Sequence, residues 1–159
     1  MSKFTGREFR DALATFATGV TIVTARDGQG VPVGMTASSF SSVSMEPPLI
    51  LWSAAKTALS AIAFHDAPHF AVHVLSKEQA DLSNRFAETG IDKFAGLDWK
   101  ADARDVPKLP EALARFECTQ YAVYEGGDHW IIVGEVTFFE KADGTGLIHV
   151  GGGYASASP

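Results

Sequence analysis

The sequence predicts a single mainly-β domain with short helices, arranged as a small β-barrel. About seven extended segments rich in β-branched and aromatic residues are separated by turn signals, while only three short segments have helical spacing. A parallel βαβ sheet would need a helix after nearly every strand, and this order of segments does not supply one. The length of 159 residues fits one domain over residues 1–159, with its core at about 9–154 and short frayed termini.

Three helices are predicted at about residues 9–17, 57–65 and 77–86. In the first, Phe9, Leu13 and Phe16 share one side, which we expect to pack against the core until Thr18-Gly19 ends the helix. The second ends near Pro68. The third has Ser76 as an N-cap and Gln79 at the position that a capping box uses.

The strands are predicted from β-branched runs bounded by turn residues. They lie at residues 20–24, 31–40, 47–52, 70–75, 113–124, 129–141 and 147–150. The turn at 27–30 makes the first two a hairpin, and the turn at 125–128 does the same for the two longest. The polar segment 89–109 is predicted to be a long loop that covers a site or a subunit contact, and the tail 155–159 is expected to be frayed.

Composition excludes several classes of protein. The formal net charge of −6 argues against a nonspecific nucleic-acid binder and a cationic membrane-surface protein. No apolar run approaches the length of a transmembrane helix, and the first residues lack the features of a signal peptide. The single cysteine, Cys118, excludes an intrachain disulfide and is expected to be an inert buried thiol. We therefore expect a cytoplasmic protein that contacts neither nucleic acid nor membrane.

The usual signatures of nucleotide and hydrolase sites are missing. There is no Rossmann G-x-G-x-x-G, Walker A motif, H-E-x-x-H or nucleophile elbow. His65, His69 and His73 recur every four residues, but Pro68 interrupts the run and the last of them falls in a predicted strand. The three histidines therefore do not share one helix face, and their spacing argues against a metal site.

Three polar segments remain as candidate sites. Residues 36–44 are rich in hydroxyl groups, and small side chains there would let a planar ligand approach the backbone. The segment 53–60 leads into a helix and offers hydroxyls and the ammonium of Lys56 to an anion. The turn before His129 projects an acid and an imidazole. Each also has a plain structural interpretation as a polar loop, an N-cap or a solvated turn.

Four segments taken in order are similar to those of the flavin reductase-like family. They are residues 16–24, 34–51, 70–75 and 127–136, which include the runs Gly34-Met-Thr-Ala-Ser-Ser-Phe and Gly127-Asp-His-Trp. The resemblance spans about residues 9–154. It implies a Greek-key split β-barrel, a homodimer with flavin at the subunit interface, and transfer of hydride from NADH or NADPH to FMN or FAD. A two-component monooxygenase would receive the reduced flavin.

The resemblance also implies site residues. Met35, Thr36, Ala37, Ser38 and Ser39 would line the isoalloxazine; Ser53, Lys56 and Ser60 would face the ribityl phosphate; Arg85 and Phe86 would close that side; and His129 would position the nicotinamide. The chain departs from the family pattern at His73, where asparagine is usual, and at Gly153, where a basic residue is common.

Hydride transfer between two stacked rings needs positioning more than acid–base chemistry, which agrees with the lack of an obvious catalytic pair. Two alternatives stay open. One is a non-catalytic flavin- or haem-binding protein on the same barrel. The other is a related split-barrel reductase, of the pyridoxine-phosphate-oxidase or cobalamin-related type, that acts on another acceptor.

Overall fold

The computed structural model describes residues 3–157 as a mainly antiparallel β structure with three short helices. The helices are α1 (Gly6–Leu13), α2 (Ala61–Asp66) and α3 (Ala80–Ala87), the last preceded by a 3₁₀ turn over Lys77–Gln79. The strands are β1 (Thr18–Gly19), β2 (Thr21–Arg26), β3 (Pro32–Ala37), β4 (Ser41–Met45), β5 (Pro48–Ala55), β6 (His69–Val74), β7 (Lys100–Ala101), β8 (Pro107–Lys108), β9 (Ala114–Gly126), β10 (His129–Lys141), β11 (Leu147–Val150) and β12 (Gly153–Ser156).

Seven of these strands form one antiparallel sheet in the order β3-β2-β6-β9-β10-β5-β4. The two predicted hairpins are confirmed, because β2 pairs with β3 and β9 pairs with β10. A second sheet joins β1, β11 and β12, and β7 pairs with β8. None of the helices in the described range has the length and apolar character that crossing a membrane requires.

The sheet is buried on both faces at β2. Val23 belongs to a cluster with Trp52, Phe64 and Phe70, whereas its neighbour Ile22 packs on the opposite face with Phe86 and other apolar side chains. Successive side chains of a strand point to opposite faces, so the β-branched run of β2 supplies both cores. Trp52 and Phe64 meet edge to face with centroids 4.9 Å apart, which fixes α2 on the sheet.

The expectation that α1 packs against the core is wrong, because no residue of α1 is buried. Phe9 and Leu13 are exposed by 53% and 58%, and Phe16, just after the helix, by 78%. The apolar spacing correctly predicted a helix, but no other element of residues 3–157 covers its apolar side.

The polar segment 89–109 is a loop only in part, since it carries the short strands β7 and β8 and is tied to the sheet. Thr24 Oγ1 donates to Pro107 O at 2.5 Å, and Arg26 Nη2 bonds Asp105 Oδ1 at 2.9 Å. The tail is also more ordered than expected, because β12 continues to Ser156. Residues 158–159 of the predicted frayed tail lie outside the described residues.

Candidate functional site

A cavity of about 470 Å³ lies beside β3 at one edge of the large sheet. Three further segments complete its wall: the residues before α2, the end of α3 and the chain that follows α3. The lining comprises residues 31–36, 58–60, 86–87 and 89–94. Among the described strands β3 pairs with β2 alone, so backbone groups on its outer side face away from the sheet ladder, where a ligand or another part of the chain can bond them.

The inner wall depends on a glycine. A Cβ on Gly34 would lie 2.5 Å from Phe86 Cε1 and 3.3 Å from Phe94 Cζ. Phe86 is fully buried and meets Phe94 edge to face at 5.2 Å between ring centroids. The aromatic pair therefore reaches the backbone of β3, which is where the cavity begins.

One cation borders the cavity. Lys93 Nζ donates to Gly34 O at 3.1 Å and to Phe86 O at 2.7 Å, which joins the chain after α3 to both β3 and α3. Partial burial lowers the pKa of Lys93, because desolvation penalises the charged form. The neighbouring Asp92 uses Oδ1 to accept the Phe94 N–H at 3.1 Å.

Four predicted site residues line this cavity: Met35, Thr36, Ser60 and Phe86. Thr36 Oγ1 donates to Ser83 O at 2.5 Å, so this hydroxyl holds α3 in place. Ser60 precedes α2 and makes no side-chain cap.

Arg85 lies behind the wall and not among the lining residues. Its guanidinium donates to Asp92 O at 3.4 Å and also to Ala95 O, and both carbonyls belong to the chain after α3. Arg85 thus holds the segment that carries Lys93.

The other residues of the hydroxyl-rich segment lie beyond the cavity. Ser39 Oγ accepts the Ser53 N–H at 2.9 Å and donates to Ser53 O at 3.3 Å, so these two predicted site residues bond each other and link β5 to the chain after β3. Ala37 packs on the core, and Ser38 is exposed.

Lys56 and His129 lie at another place, where the end of β5 approaches the β9–β10 turn. The Lys56 N–H donates to Asp128 O at 3.0 Å, and its ammonium pairs with Glu125 and lies over the Trp130 ring. His129 Nδ1 lies 2.7 Å from Asp128 Oδ1, and the imidazole lowers the pKa of that carboxyl by hydrogen bonding and charge. The side chain of His129 is 43% exposed.

His73, which stands where the family pattern has asparagine, is fully buried and structural. Its Nε2 accepts the Leu109 N–H at 3.1 Å, so Nδ1 carries the ring proton and donates to Ile22 O at 3.1 Å. Burial lowers the pKa of His73 to about 4. The imidazole fastens the end of the 89–109 segment to β2 and β6.

Cys118, the metal-site question and Gly153 remain from the sequence analysis. Cys118 is buried, which confirms the prediction of a buried thiol, and burial raises its pKa to about 12. Within residues 3–157 no group of three or more histidine, cysteine or acidic side chains is placed to hold a metal ion. A Cβ on Gly153 would meet nothing within 4 Å, while the adjacent Tyr154 hydroxyl lies 2.7 Å from Ser83 Oγ and ties β12 to α3.

The sequence did not identify Lys93, Phe94 or the start of β3 as parts of a site. Lys93 and Phe94 fall in the polar segment 89–109, which was predicted to be a loop covering a site or a subunit contact, but no residue within it was singled out. Contacts to Gly34 and Phe86, distant along the chain, place them at the cavity.

The chain is similar to known proteins over most of its residues. Residues 13–158 match the flavin reductase like domain. The FMN reductase (NADH) SmoA of Agrobacterium fabrum is 50% identical over 152 residues, or 96% of this chain and 86% of that protein. The reductase component of the flavin-dependent trigonelline monooxygenase of Acinetobacter baylyi is 45% identical over 93% of this chain, which spans only 48% of that longer protein.

A solved structure extends the similarity to three dimensions. The NADH:FAD oxidoreductase SgcE6 of Streptomyces globisporus, in complex with NAD and FAD fragments, superposes with a TM-score of 0.90 at 34% identity, covering 99% of this chain and 98% of that one. This agreement confirms the predicted split-barrel fold.

Proposed function

Because the chain belongs to the flavin reductase like family, we propose that it is an NAD(P)H:flavin oxidoreductase that uses FMN or FAD and supplies reduced flavin to a partner monooxygenase. The observation that carries this proposal is the cavity beside β3. It combines apolar walls, which favour a planar ring, with outward backbone groups of an edge strand, which can bond the polar edge of a heterocycle.

The residues present fit a flavin nucleotide. Met35 and Thr36 would contact the ring, and Ser60 and Phe86 lie in the same cavity. The other residues that we assign to the flavin lie outside this lining, so a flavin that contacts them must extend beyond the cavity: Ala37, Ser38 and Ser39 on the ring, and Ser53, Lys56 and Arg85 on the phosphate side. When bound, the flavin supplies the hydride-accepting atom and the nicotinamide supplies the hydride. The chain's own task is to hold both rings in contact and to exclude water, since orientation is the main contribution to such a step.

His129 is proposed to position the nicotinamide and not to donate a proton. Its Nδ1 faces Asp128, which leaves Nε2 toward the exposed side of the ring, where a carboxamide could bond it.

Replacing His129 by alanine should raise the apparent KM for NADH about five- to tenfold, the effect of one hydrogen bond, and change the flavin dissociation constant less. Steady-state kinetics and flavin titration measure the two effects. His69→Ala is a control, because His69 lies on β6, away from the β9–β10 turn, and its imidazole contacts Arg104 Nη1 at 3.3 Å. A larger loss of flavin affinity than of NADH affinity would contradict this role.

A homodimer is proposed as the working form. Leu59 lines the cavity yet is 83% exposed, and Ile62 on α2 is 58% exposed. A second copy over this face would bury both and close the cavity.

Sedimentation equilibrium should therefore find a dimer. Leu59→Asp, which would bury an unpaired carboxylate, should weaken the dimer and flavin binding together, each about tenfold or more. A monomer at working concentration, or a Leu59→Asp dimer of unchanged affinity, would contradict a dimer across this face.

Anaerobic stopped-flow mixing of the protein with each nicotinamide and each flavin tests the proposed activity. Loss of oxidised-flavin absorbance, dependent on the protein, is expected with at least one pair. A protein that binds flavin but oxidises no NADH or NADPH would favour the non-catalytic binder. Turnover that needs a different acceptor would favour another split-barrel reductase.

A further inference from the structure

The ammonium of Lys93 has no counter-charge in the described chain. Lys56 pairs with Glu125, and Arg115 pairs with two carboxylates, but no carboxylate lies within salt-bridge distance of Lys93 Nζ. The neighbouring Asp92 uses Oδ1 to accept the Phe94 N–H and forms no ion pair with Lys93. A half-buried charge against apolar walls is unfavourable unless an anion accompanies it.

The position of this ammonium is fixed before any ligand arrives. An ammonium has three donors, and two of them bond Gly34 O and Phe86 O. The third remains available in a side chain that borders the cavity. Burial already lowers the pKa of Lys93, and a bound anion would favour its charged form.

We propose that Lys93 determines specificity in this cavity: its ammonium binds a phosphate group of the nucleotide that enters the cavity. The inference rests on the proposed function, because flavin and nicotinamide nucleotides carry their negative charge on phosphates. Lys93 thus adds a third cation to the assignment that names Lys56 and Arg85, and it is the one of the three that lines the cavity.

A purely structural role is the competing explanation. Phe86 is in the last turn of α3, and a lysine that bonds a terminal carbonyl caps a helix. A cap would affect all ligands of the cavity alike, whereas a phosphate contact would distinguish ligands that carry phosphate from those that do not.

The test measures dissociation constants of FMN, riboflavin and ADP-ribose by fluorescence and calorimetry. For Lys93→Met we expect FMN to bind about tenfold or more weakly, as for a hydrogen bond to a charged group, with riboflavin changed less than about threefold. Lys93→Arg should retain most of the FMN affinity. Lys141→Met removes an exposed lysine of β10 outside the cavity and should alter none of the three constants.

The outcomes separate the sources of the phosphate. A selective loss for FMN assigns the contact to the flavin, and a selective loss for ADP-ribose assigns it to the nicotinamide nucleotide. Equal losses for all three ligands, equal losses for FMN and riboflavin without loss for ADP-ribose, or no loss at all, overturn the proposal. If Lys93→Met does not fold, the same three dissociation constants are measured for Lys93→Gln, whose uncharged amide can still donate to a carbonyl. NADH oxidation by the unaltered protein with riboflavin as acceptor shows whether the proposed function stands even if Lys93 has no such role.

Discussion

Acidification from pH 6.5 to pH 4 is expected to cost the folded chain about 3 kcal/mol through His73 alone. The pKa of this imidazole falls from its ordinary value of 6.5 to about 4, chiefly because burial excludes the charged form, although the bond to Ile22 O opposes the shift. Between these values the unfolded chain binds a proton that the folded chain does not. Stability is therefore present above pH 6.5 and is lost as the pH falls toward 4.

Urea unfolding at a series of pH values measures this effect as the difference between the unaltered chain and His73→Asn. Asparagine does not titrate, so the unaltered chain should lose about 3 kcal/mol more than the variant over this interval. His149→Asn, at a half-buried position beside Tyr154, is the matched control and should keep the full pH dependence. Parallel curves for the unaltered chain and His73→Asn would show that His73 is not buried in the neutral form.

Replacing Gly34 by alanine should destabilise the chain by about 1–3 kcal/mol and weaken flavin binding as well. The new methyl would lie 2.5 Å from Phe86 Cε1, and that ring is held in the core, so it cannot withdraw without moving α3. A shift of α3 would displace the carbonyl of Phe86 to which Lys93 is bonded and so alter the cavity wall.

Thermal unfolding and FMN titration of the same variant measure both effects. Gly19→Ala is the control, since a Cβ at that strand position would meet nothing within 4 Å, and it should leave stability and flavin affinity close to those of the unaltered chain. A Gly34→Ala protein with unchanged melting temperature and FMN affinity would contradict the close approach between β3 and Phe86.

The strands were predictable where local pattern and burial agree. The run of β2 and the two long strands of the second hairpin follow from β-branched spacing and turn residues. Strand β4 was missed because it is short, lies at a sheet edge and has three serines among its five residues, and its alternating apolar side chains, Val43 and Met45, are exposed. The helical spacing of α1 was correct, but periodicity cannot show whether the partner surface lies in the same chain.

The site was predictable only in part, for a similar reason. Met35 and Thr36 were assigned to the flavin ring by the family resemblance, and they do border the cavity. Lys93 was missed because its position at the cavity comes from bonds to two carbonyls, one on β3 and one on α3. A local sequence pattern around Lys93 cannot reveal these contacts. The hydroxyls of Thr36 and Ser39 bond the protein itself, which residue type alone does not reveal.

The location of bound flavin tests the central claim most directly. A crystal structure of the protein with FMN should show the isoalloxazine against Met35 and Thr36 and the phosphate within hydrogen-bond distance of Lys93 Nζ, in the cavity bounded by Ser60 and Phe86. Flavin bound elsewhere on the molecule, or no flavin at saturating concentration, would contradict the claim that this cavity is where the chain reduces flavin.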